Sequence, residues 1–402
     1  MRILMLTSVY KDQSLGNKDT STNIVNSFVK EWTKQGHEVI VIHNSHCYPR
    51  FIHEIPAKLK KSLASKMGFA ISEYNAVMTK EFLDNGVKVF RLPIKKYIPH
   101  SQPTMGAIYK QVSKIITILR KENFKPDVIT GHWASPQMEI ISELKKVYNC
   151  KTAVVLHGTG YINSKKFNAT EYLKNIDSLG ARSLSQAKQI KEILKLEELP
   201  FVCNSGVPDE YLKEYKLNID KYKNIRTWNI TYVGRLVSYK NIDATINALS
   251  KIKDVNWEFN IVGDGASRPE LEELVRKLNL TEKVHFIGRV PREQVMKILK
   301  DTHIFVMIST NEIFGLVYLE AMAASCLTIA SKDGGVDGII SDNENGFLCH
   351  EADDNELKQI LENIMESNYE SLIQMVNRGY KTVQNYSDYK VAEKYLSDIY
   401  DF

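Results

Sequence analysis

Two successive sets of short apolar runs, each alternating with helical stretches, constrain this chain more than any other feature. In the first set, Arg2–Leu6, His37–His43, Asp127–Thr130, Lys151–Leu156 and Pro200–Cys203 are strand candidates, and Asn23–Gln35 has helical periodicity ending at Gly36. Short runs that are apolar on both faces, joined by crossover helices, make a parallel sheet in an α/β domain. The pattern then restarts. Asn229–Val233, Glu258–Val262, Lys283–Ile287, Ile304–Ile308 and Leu327–Ala330 alternate with helical Asn241–Lys251, Arg268–Leu278, Arg292–Lys300 and Gly315–Ala324. A polar stretch rich in Lys and Tyr, Tyr211–Thr227, separates the two sets and reads as a linker. The expectation is two doubly wound, Rossmann-like domains, residues 1–215 and 216–385, facing across a cleft. Ligands of such folds bind at the carboxyl ends of the strands.

Composition narrows the possibilities. A chain of 402 residues with 43% hydrophobic and 25% charged residues can build two ordinary cores, which excludes a disordered or fibrous protein. A net charge of +5 is mild for this length, so no nucleic-acid partner is expected. Cys47, Cys150, Cys203, Cys326 and Cys349 are scattered and form no CxxC pair, which argues against a zinc knuckle or a disulfide framework and for a reducing compartment. No segment approaches the roughly 20 apolar residues of a membrane span. The opening MRILMLTSVY reads as a buried strand, not a secretory leader. The expected location is cytoplasmic, with association to the inner membrane face left open.

The densest chemical signal runs from Ser309 to Ala323 (STNEIFGLVYLEAMA). A strand ends, a polar turn carries Glu312, and a helix begins near Gly315 with Glu320 two turns on. A helix start offers backbone N–H groups to a phosphate, and carboxylates accept hydrogen bonds from ligand hydroxyls. An ordinary helix with solvated glutamates has the same spacing.

The wider set of motifs resembles the retaining glycosyltransferases of group 1 (family 4), which have the GT-B architecture. Glu312 and Glu320, with Phe314-Gly315 and Glu320-Ala321-Met322-Ala323, resemble that family's Glu-x7-Glu segment. Tyr232–Asn241 (YVGRLVSYKN) resembles its strand, Gly-Arg turn and lysine loop. Ile261–Gly265 (IVGDG), Phe286–Val290 (FIGRV) and Asn345–Leu348 (NGFL) follow in the family's order, and Gly36–Val39 and His157-Gly158 fit in the first half. The resemblance is strong from about Asn229 to Leu348. It implies that Arg235 and Lys240 grip the donor diphosphate, two cations meeting the charge that grows on a leaving group. It implies further that Glu320 holds the donor ribose, and that Glu312 with Ile313, Phe314 and Gly315 lies on the donor sugar and phosphate. Gly288, Arg289 and Val290 would seat the nucleobase, and Gly16 would sit in the loop after the first strand. His157, at a strand end before Gly158, would hydrogen-bond the transferred sugar; His132 and Trp133 would shape the acceptor side. A C-terminal helix at about 386–402 would pack back on the first domain.

This sequence departs from the family pattern in two places. The loop after the first strand, Tyr10–Lys18, has one glycine where the family commonly has a pair, and a Gly-Gly-x-Pro-Glu segment reads Gly334-Gly335-Val336-Asp337-Gly338. Other motifs fit poorly. Gly263-x-Gly265 lacks the third glycine of a dinucleotide fingerprint, Arg268 standing there. Asp342-Asn343-Glu344 and Asp353-Asp354 read as loop charge, so no metal and no cofactor are expected, the nucleotide sugar being a substrate.

The expected activity is therefore metal-independent transfer of a hexose-type sugar from a nucleoside diphosphate sugar to a glycan or lipid-linked glycan, with retention of configuration, in cell-surface polysaccharide or glycolipid synthesis. A sugar-nucleotide epimerase on the same scaffold and a non-catalytic sugar-nucleotide-binding subunit are the alternatives. One further segment, residues 50–70, carries Arg50, Lys58, Lys60, Lys61 and Lys66 against Glu54, around an apolar stripe of Leu59, Leu63 and Met67. Such a helix suits an anionic membrane interface, and peripheral membrane contact is expected there.

Overall fold

The computed structural model describes residues 1–12, 23–56, 59–60, 74–96, 102–164, 167–214 and 216–400. It divides into two compact units. The first comprises residues 1–182, 186–203 and 391–402, and the second residues 183–185 and 204–390.

The sheet of the first unit contains, in chain order, β1 (Arg2–Thr7), β2 (Glu38–Cys47), β3 (Lys80–Asp84), β4 (Val87–Lys95), β5 (Val128–His132), β6 (Lys151–Leu156), β7 (Ser178–Ala181) and β8 (Phe201–Val202). Its spatial order is β3-β4-β2-β1-β5-β6-β7-β8, parallel except for β3, which runs antiparallel to β4 at the edge. The hairpin joining those two strands turns on Asn85 and Gly86, both at positive φ, the signature of a tight hairpin turn. Ile3, Leu4, Met5 and Leu6 of β1 are all fully buried, as a central strand covered on both faces requires. Residues of the last helix, Asp388–Tyr400, complete this unit. The Trp32 indole N–H donates to the Ala392 carbonyl (2.8 Å), and the Tyr395 hydroxyl meets the Thr130 hydroxyl at 2.6 Å. The Tyr395 ring packs against Phe28, Trp32 and Phe201.

In the second unit, β9 (Trp228–Val233), β10 (Trp257–Val262), β11 (Val284–Gly288), β12 (Ile304–Met307), β13 (Leu327–Ser331) and β14 (Phe347–Cys349) form an all-parallel sheet. The order is β11-β10-β9-β12-β13-β14. The helices expected between these strands are present within one residue at each end: Ile242–Ser250, Arg268–Lys277, Arg292–Asp301 and Leu316–Ala323.

Tyr211–Thr227 is not a linker. The chain passes between units at 203–204, and this stretch belongs to the second unit. Its polar groups are spent on backbone. The buried Tyr222 hydroxyl donates to the carbonyls of His303 and Ser325 (2.8 Å each), and Lys221 Nζ donates to those of Thr302 (2.6 Å) and Ala324 (2.9 Å). These carbonyls lie just past two helix ends, so a polar-looking sequence is in fact a set of helix caps. Of the basic segment 50–70, a short helix Arg50–His53 is formed and Leu59 and Lys60 are helical; Lys58, Lys61, Leu63, Lys66 and Met67 lie outside the described residues. No helix among the described residues is long and apolar enough to cross a membrane.

Candidate functional site

Each sheet reverses its strand order beside its first strand, at β1/β5 and at β9/β12. Loops that leave the carboxyl ends of such neighbouring strands diverge to opposite faces and open a crevice between them. In the second unit, those loops carry Arg235 and Lys240 after β9 and Glu312 after β12.

Backbone hydrogen bonds stitch the two loops together. Asn241, in the left-handed region (φ 50°), donates from its side-chain amide to the Ile308 carbonyl (2.8 Å) and to the Thr310 hydroxyl (3.0 Å). The Thr310 N–H donates to the Tyr239 carbonyl at 2.8 Å. As a result Lys240 forms an ion pair with Glu312, its Nζ lying 3.9 Å from Met307 Sδ, and both side chains are largely withdrawn from water. A buried pair of this kind costs desolvation that a stable fold has no need to incur. Arg235 is exposed, and its guanidinium donates to the Tyr239 hydroxyl at 3.0 Å.

Glycines fix the surrounding backbone. Gly315, the residue before helix Leu316–Ala323, has φ 75°, and a Cβ there would lie 2.5 Å from the Tyr318 ring and 3.2 Å from Glu312. Gly263 has φ 138°, and a Cβ would lie 1.8 Å from the Gly234 carbonyl oxygen; one on Gly265 would lie 2.2 Å from that of Leu236. The Gly263 N–H donates to the Gly288 carbonyl and the Gly234 N–H to that of Val262, each at 2.9 Å. The turns after β9, β10 and β11 are thus laced together by backbone alone. The altered Gly334-Gly335 pair has a similar use, since a Cβ on Gly335 would meet the Phe314 carbonyl oxygen at 2.5 Å. Ile313 and Arg289 are exposed, Gly288 and Val290 half-buried, and Phe314 buried.

Glu320 is buried and accepts a hydrogen bond from Arg292 Nε at 2.6 Å. Arg292 in turn lies over the Tyr211 ring, 5.5 Å from its centroid. The sequence reading missed Arg292. It opens a helix after Pro291, and nothing in its local pattern ties it to a glutamate on the next helix.

In the first unit, His157 follows β6 as expected but is not alone. His157 Nε2 and His132 Nδ1 share a hydrogen bond of 2.8 Å, and Trp133, at φ 71°, stacks on His157 with centroids 4.1 Å apart. Burial, and secondarily the Arg182 guanidinium, hold both imidazoles well below the usual histidine range, so they are neutral at pH 7. His132 Nε2 is buried with no hydrogen-bond partner. A polar chain, Ser8–Gln137–Asn44–Gln111, runs beside this pair with contacts of 2.8 to 3.0 Å. At the end of the described part of the first loop, Asp12 is 1% exposed and takes ion pairs from Arg91 (2.7 Å) and Lys80 (2.8 Å). None of these partners is near Asp12 in sequence. Gly16 lies outside the described residues.

Among the described residues, no group of three His, Cys, Asp or Glu side chains is placed to hold a metal ion. Asp342 and Asp353 instead accept from local backbone N–H groups, of Leu348 (2.8 Å) and of Asn355 and Glu356 (3.0 and 2.9 Å).

Comparison with known proteins adds a family. Residues 215–382 match the model of the glycosyl transferases group 1. An uncharacterised glycosyltransferase of Methanocaldococcus jannaschii is 29% identical over 272 residues, 65% of this chain and 72% of that protein. The putative teichuronic acid biosynthesis glycosyltransferase TuaC of Bacillus subtilis is 25% identical over 361 residues, 86% of this chain and 84% of its own. The crystal structure of HepE from Anabaena in complex with UDP superposes with a TM-score of 0.68 at 17% identity, covering 100% of both chains. That likeness shows the fold, the GT-B pairing of two parallel-sheet domains.

Proposed function

From the match of residues 215–382 to the group 1 glycosyltransferase model and the glycosyltransferase relatives, we propose that the chain is a glycosyltransferase of this group that moves a hexose-type sugar from a nucleoside diphosphate sugar to a hydroxyl of a glycan or lipid-linked glycan, with retention of configuration. The observation that carries this reading is the Lys240–Glu312 pair at the β9/β12 reversal, beside Arg235 and the start of helix Leu316–Ala323. Lys240 and Arg235 supply two cations within one short loop. The helix start adds the positive end of its dipole. Together they stabilise the charge that develops on a departing diphosphate, where removal of one preorganised donor costs about 3–4 kcal/mol.

Glu312 has two uses in this scheme. Its carboxylate holds the Lys240 ammonium in place, and it offers acceptor oxygens to donor-sugar hydroxyls once the diphosphate claims the lysine. Glu320, oriented by Arg292, holds the ribose; Gly288, Arg289 and Val290 present backbone to the base. His157, neutral and oriented by His132 and Trp133, binds a hydroxyl of the transferred sugar. With the leaving group met by fixed cations, no metal is required, and the diphosphate itself takes the acceptor proton. UDP bound to HepE and the teichuronic acid role in the name of TuaC support a nucleotide donor and a place in surface-polysaccharide or glycolipid synthesis. Residues 50–70 would then bring the enzyme to the cytoplasmic face of the membrane beside a lipid-linked acceptor.

A thermal-shift screen of UDP, GDP and ADP tests the donor site directly, because a ligand of the native state raises its apparent stability. One of the three should shift the melt, and the matching sugar nucleotide should turn over in excess EDTA. A donor site that answers to none of them would overturn the reading. An inverted linkage seen by NMR would overturn retention alone.

A further inference from the structure

A second cluster of buried, chemically unfinished groups lies wholly within the first unit. Lys96 directly follows β4, Ser135 follows β5, Glu139 lies in the first turn of the helix Gln137–Lys145, and Tyr161 follows β6. All four therefore stand at the carboxyl end of the sheet, on either side of the β1/β5 reversal, where α/β folds bind ligands.

The carboxyl of Glu139, 3% exposed, accepts from the Ser135 hydroxyl at 2.6 Å through Oε1, while Oε2 is buried with no partner. A glutamate serving only to cap its helix has no reason to bury its second oxygen unsatisfied. The Tyr161 hydroxyl is likewise buried and, although the Ser135 side chain is near enough to influence it, makes no well-formed hydrogen bond. Lys96 is 4% exposed, and its Nζ lies 5.9 Å from the centroid of the Tyr161 ring. Lys96 and Glu139 sense each other electrostatically but do not approach within the 4.0 Å of an ion pair among the described residues. Two buried opposite charges held apart are an arrangement that stability disfavours, since contact would recover part of their desolvation. His46, at the end of β2, adds a third unpartnered polar atom nearby, its Nε2. Burial pushes Glu139 up to about 7 and Lys96 down to about 8, as expected of groups whose counter-charge is missing.

We propose that Lys96, Ser135, Glu139 and Tyr161 form an acceptor-recognition site that takes a polyol or sugar bearing an acidic group, with a hydroxyl bound at Glu139 and a phosphate or carboxylate at Lys96. The proposal rests on the glycosyltransferase reading, which makes the first unit the acceptor side, and it specifies the acceptor as anionic. The acidic group supplies the counter-charge that Lys96 lacks, and the hydroxyl fills the position facing Glu139 Oε2 and the Tyr161 hydroxyl.

Titration calorimetry on the full chain, with two matched probe pairs, tests this: glycerol 3-phosphate against glycerol, and glucuronate against glucose. Whichever of UDP, GDP and ADP shifts the melt is titrated in parallel. Wild type should bind at least one acidic probe ten times more tightly than its neutral partner, and ten times more tightly than inorganic phosphate. Lys96→Met should erase the preference, Lys96→Arg should restore most of it, and Glu139→Gln should weaken the acidic probe several-fold. Affinity for that nucleotide should stay within twofold throughout, which also shows that the variants are folded. No preference in wild type, or a preference that survives Lys96→Met, overturns the proposal. Binding of inorganic phosphate as tight as that of the best probe reduces the cluster to an anion trap and overturns it too. Failure of UDP, GDP and ADP alike to bind wild type strikes the donor reading instead, and leaves the acidic-probe result to be read by itself.

Discussion

The two units share a topological plan and fill it by different means. Each reverses its strand order beside its first strand and gathers its polar residues there. In the second unit the framework is backbone: glycines at 263 and 265 let successive turns lie against one another, backbone hydrogen bonds link the turns, and side chains such as Arg235, Lys240 and Glu312 project from that lattice. In the first unit the framework is itself made of side chains. Gln137 ties Ser8 to Asn44, Asp12 is held by Arg91 and Lys80, and His132 orients His157. Under the function proposed above, the difference matches two tasks. A diphosphate and a ribose present the same groups whatever sugar they carry, and a fixed backbone suits them. An acceptor varies in shape and charge, and a side-chain framework can be re-cut one residue at a time.

The largest effect should separate the two kinds of framework. Gly263→Ala would drive a Cβ into the Gly234 carbonyl, and should cost about 3–4 kcal/mol of stability in urea unfolding. Gly131→Ala in the first unit meets no backbone among its three nearest atoms, which are Ile141 Cδ1 (2.9 Å) and Gln137 Cβ and Cγ (3.1 Å), and should cost about 1–2 kcal/mol. Equal costs would break the contrast. Next, Lys240→Ala and Arg235→Ala should each lower turnover by about 10²–10³; stability should change little for the exposed Arg235, whereas Lys240→Ala should also destabilise the fold by leaving the Glu312 carboxylate unpaired. Rates within twofold of wild type for both would remove the leaving-group role.

The third test concerns pH. The carboxyl of Glu139 sits near 7 in the fold against an ordinary 4.5, chiefly through burial, so its charged form is the one the fold disfavours. Wild type should therefore carry the full contribution of this group below pH 4.5 and lose it as pH rises to about 7, by about 2–3 kcal/mol. Glu139→Gln escapes that loss, so its stability relative to wild type should rise by this amount between pH 4.5 and pH 8. A difference independent of pH would mean that Glu139 is not desolvated. The smallest effect is Glu320→Ala, which should weaken donor binding about tenfold, close to 1.4 kcal/mol, with turnover of bound donor nearly unchanged. Unaltered donor affinity would remove the ribose role.

What could be read in the sequence follows the same division. The strands and helices of the second unit are evident from local periodicity, and the Lys240 and Glu312 loops from residues close together in the chain. The β3–β4 hairpin carried a local signal as well, Asn85-Gly86, that the reading did not use. Pairings between distant elements left no such trace. Arg292 with Glu320, Asp12 with Arg91, and the shared surroundings of Lys96 and Glu139 are set by strand order, which no single stretch of sequence encodes. Polar composition also misled: Tyr211–Thr227 looks like a linker because its tyrosine and lysine are polar, yet Tyr222 and Lys221 are buried by helix-end carbonyls that need donors.

The placement of residues 391–402 in the first unit bears on how the protein is made. Synthesis runs from the amino terminus, so residues 1–203 leave the ribosome long before the segment that finishes their core. Until that segment arrives, Trp32 lacks the Ala392 carbonyl, and Phe28 and Phe201 lack the ring of Tyr395. Residues 204–390, by contrast, emerge as one nearly continuous block that holds its own core. The unit made second is thus the first able to close, and the unit made first waits, with apolar surface uncovered, for residues 391–402. A chain lacking residues 391–402 would have a finished second unit and an unsealed first unit, which cellular proteolysis would find first.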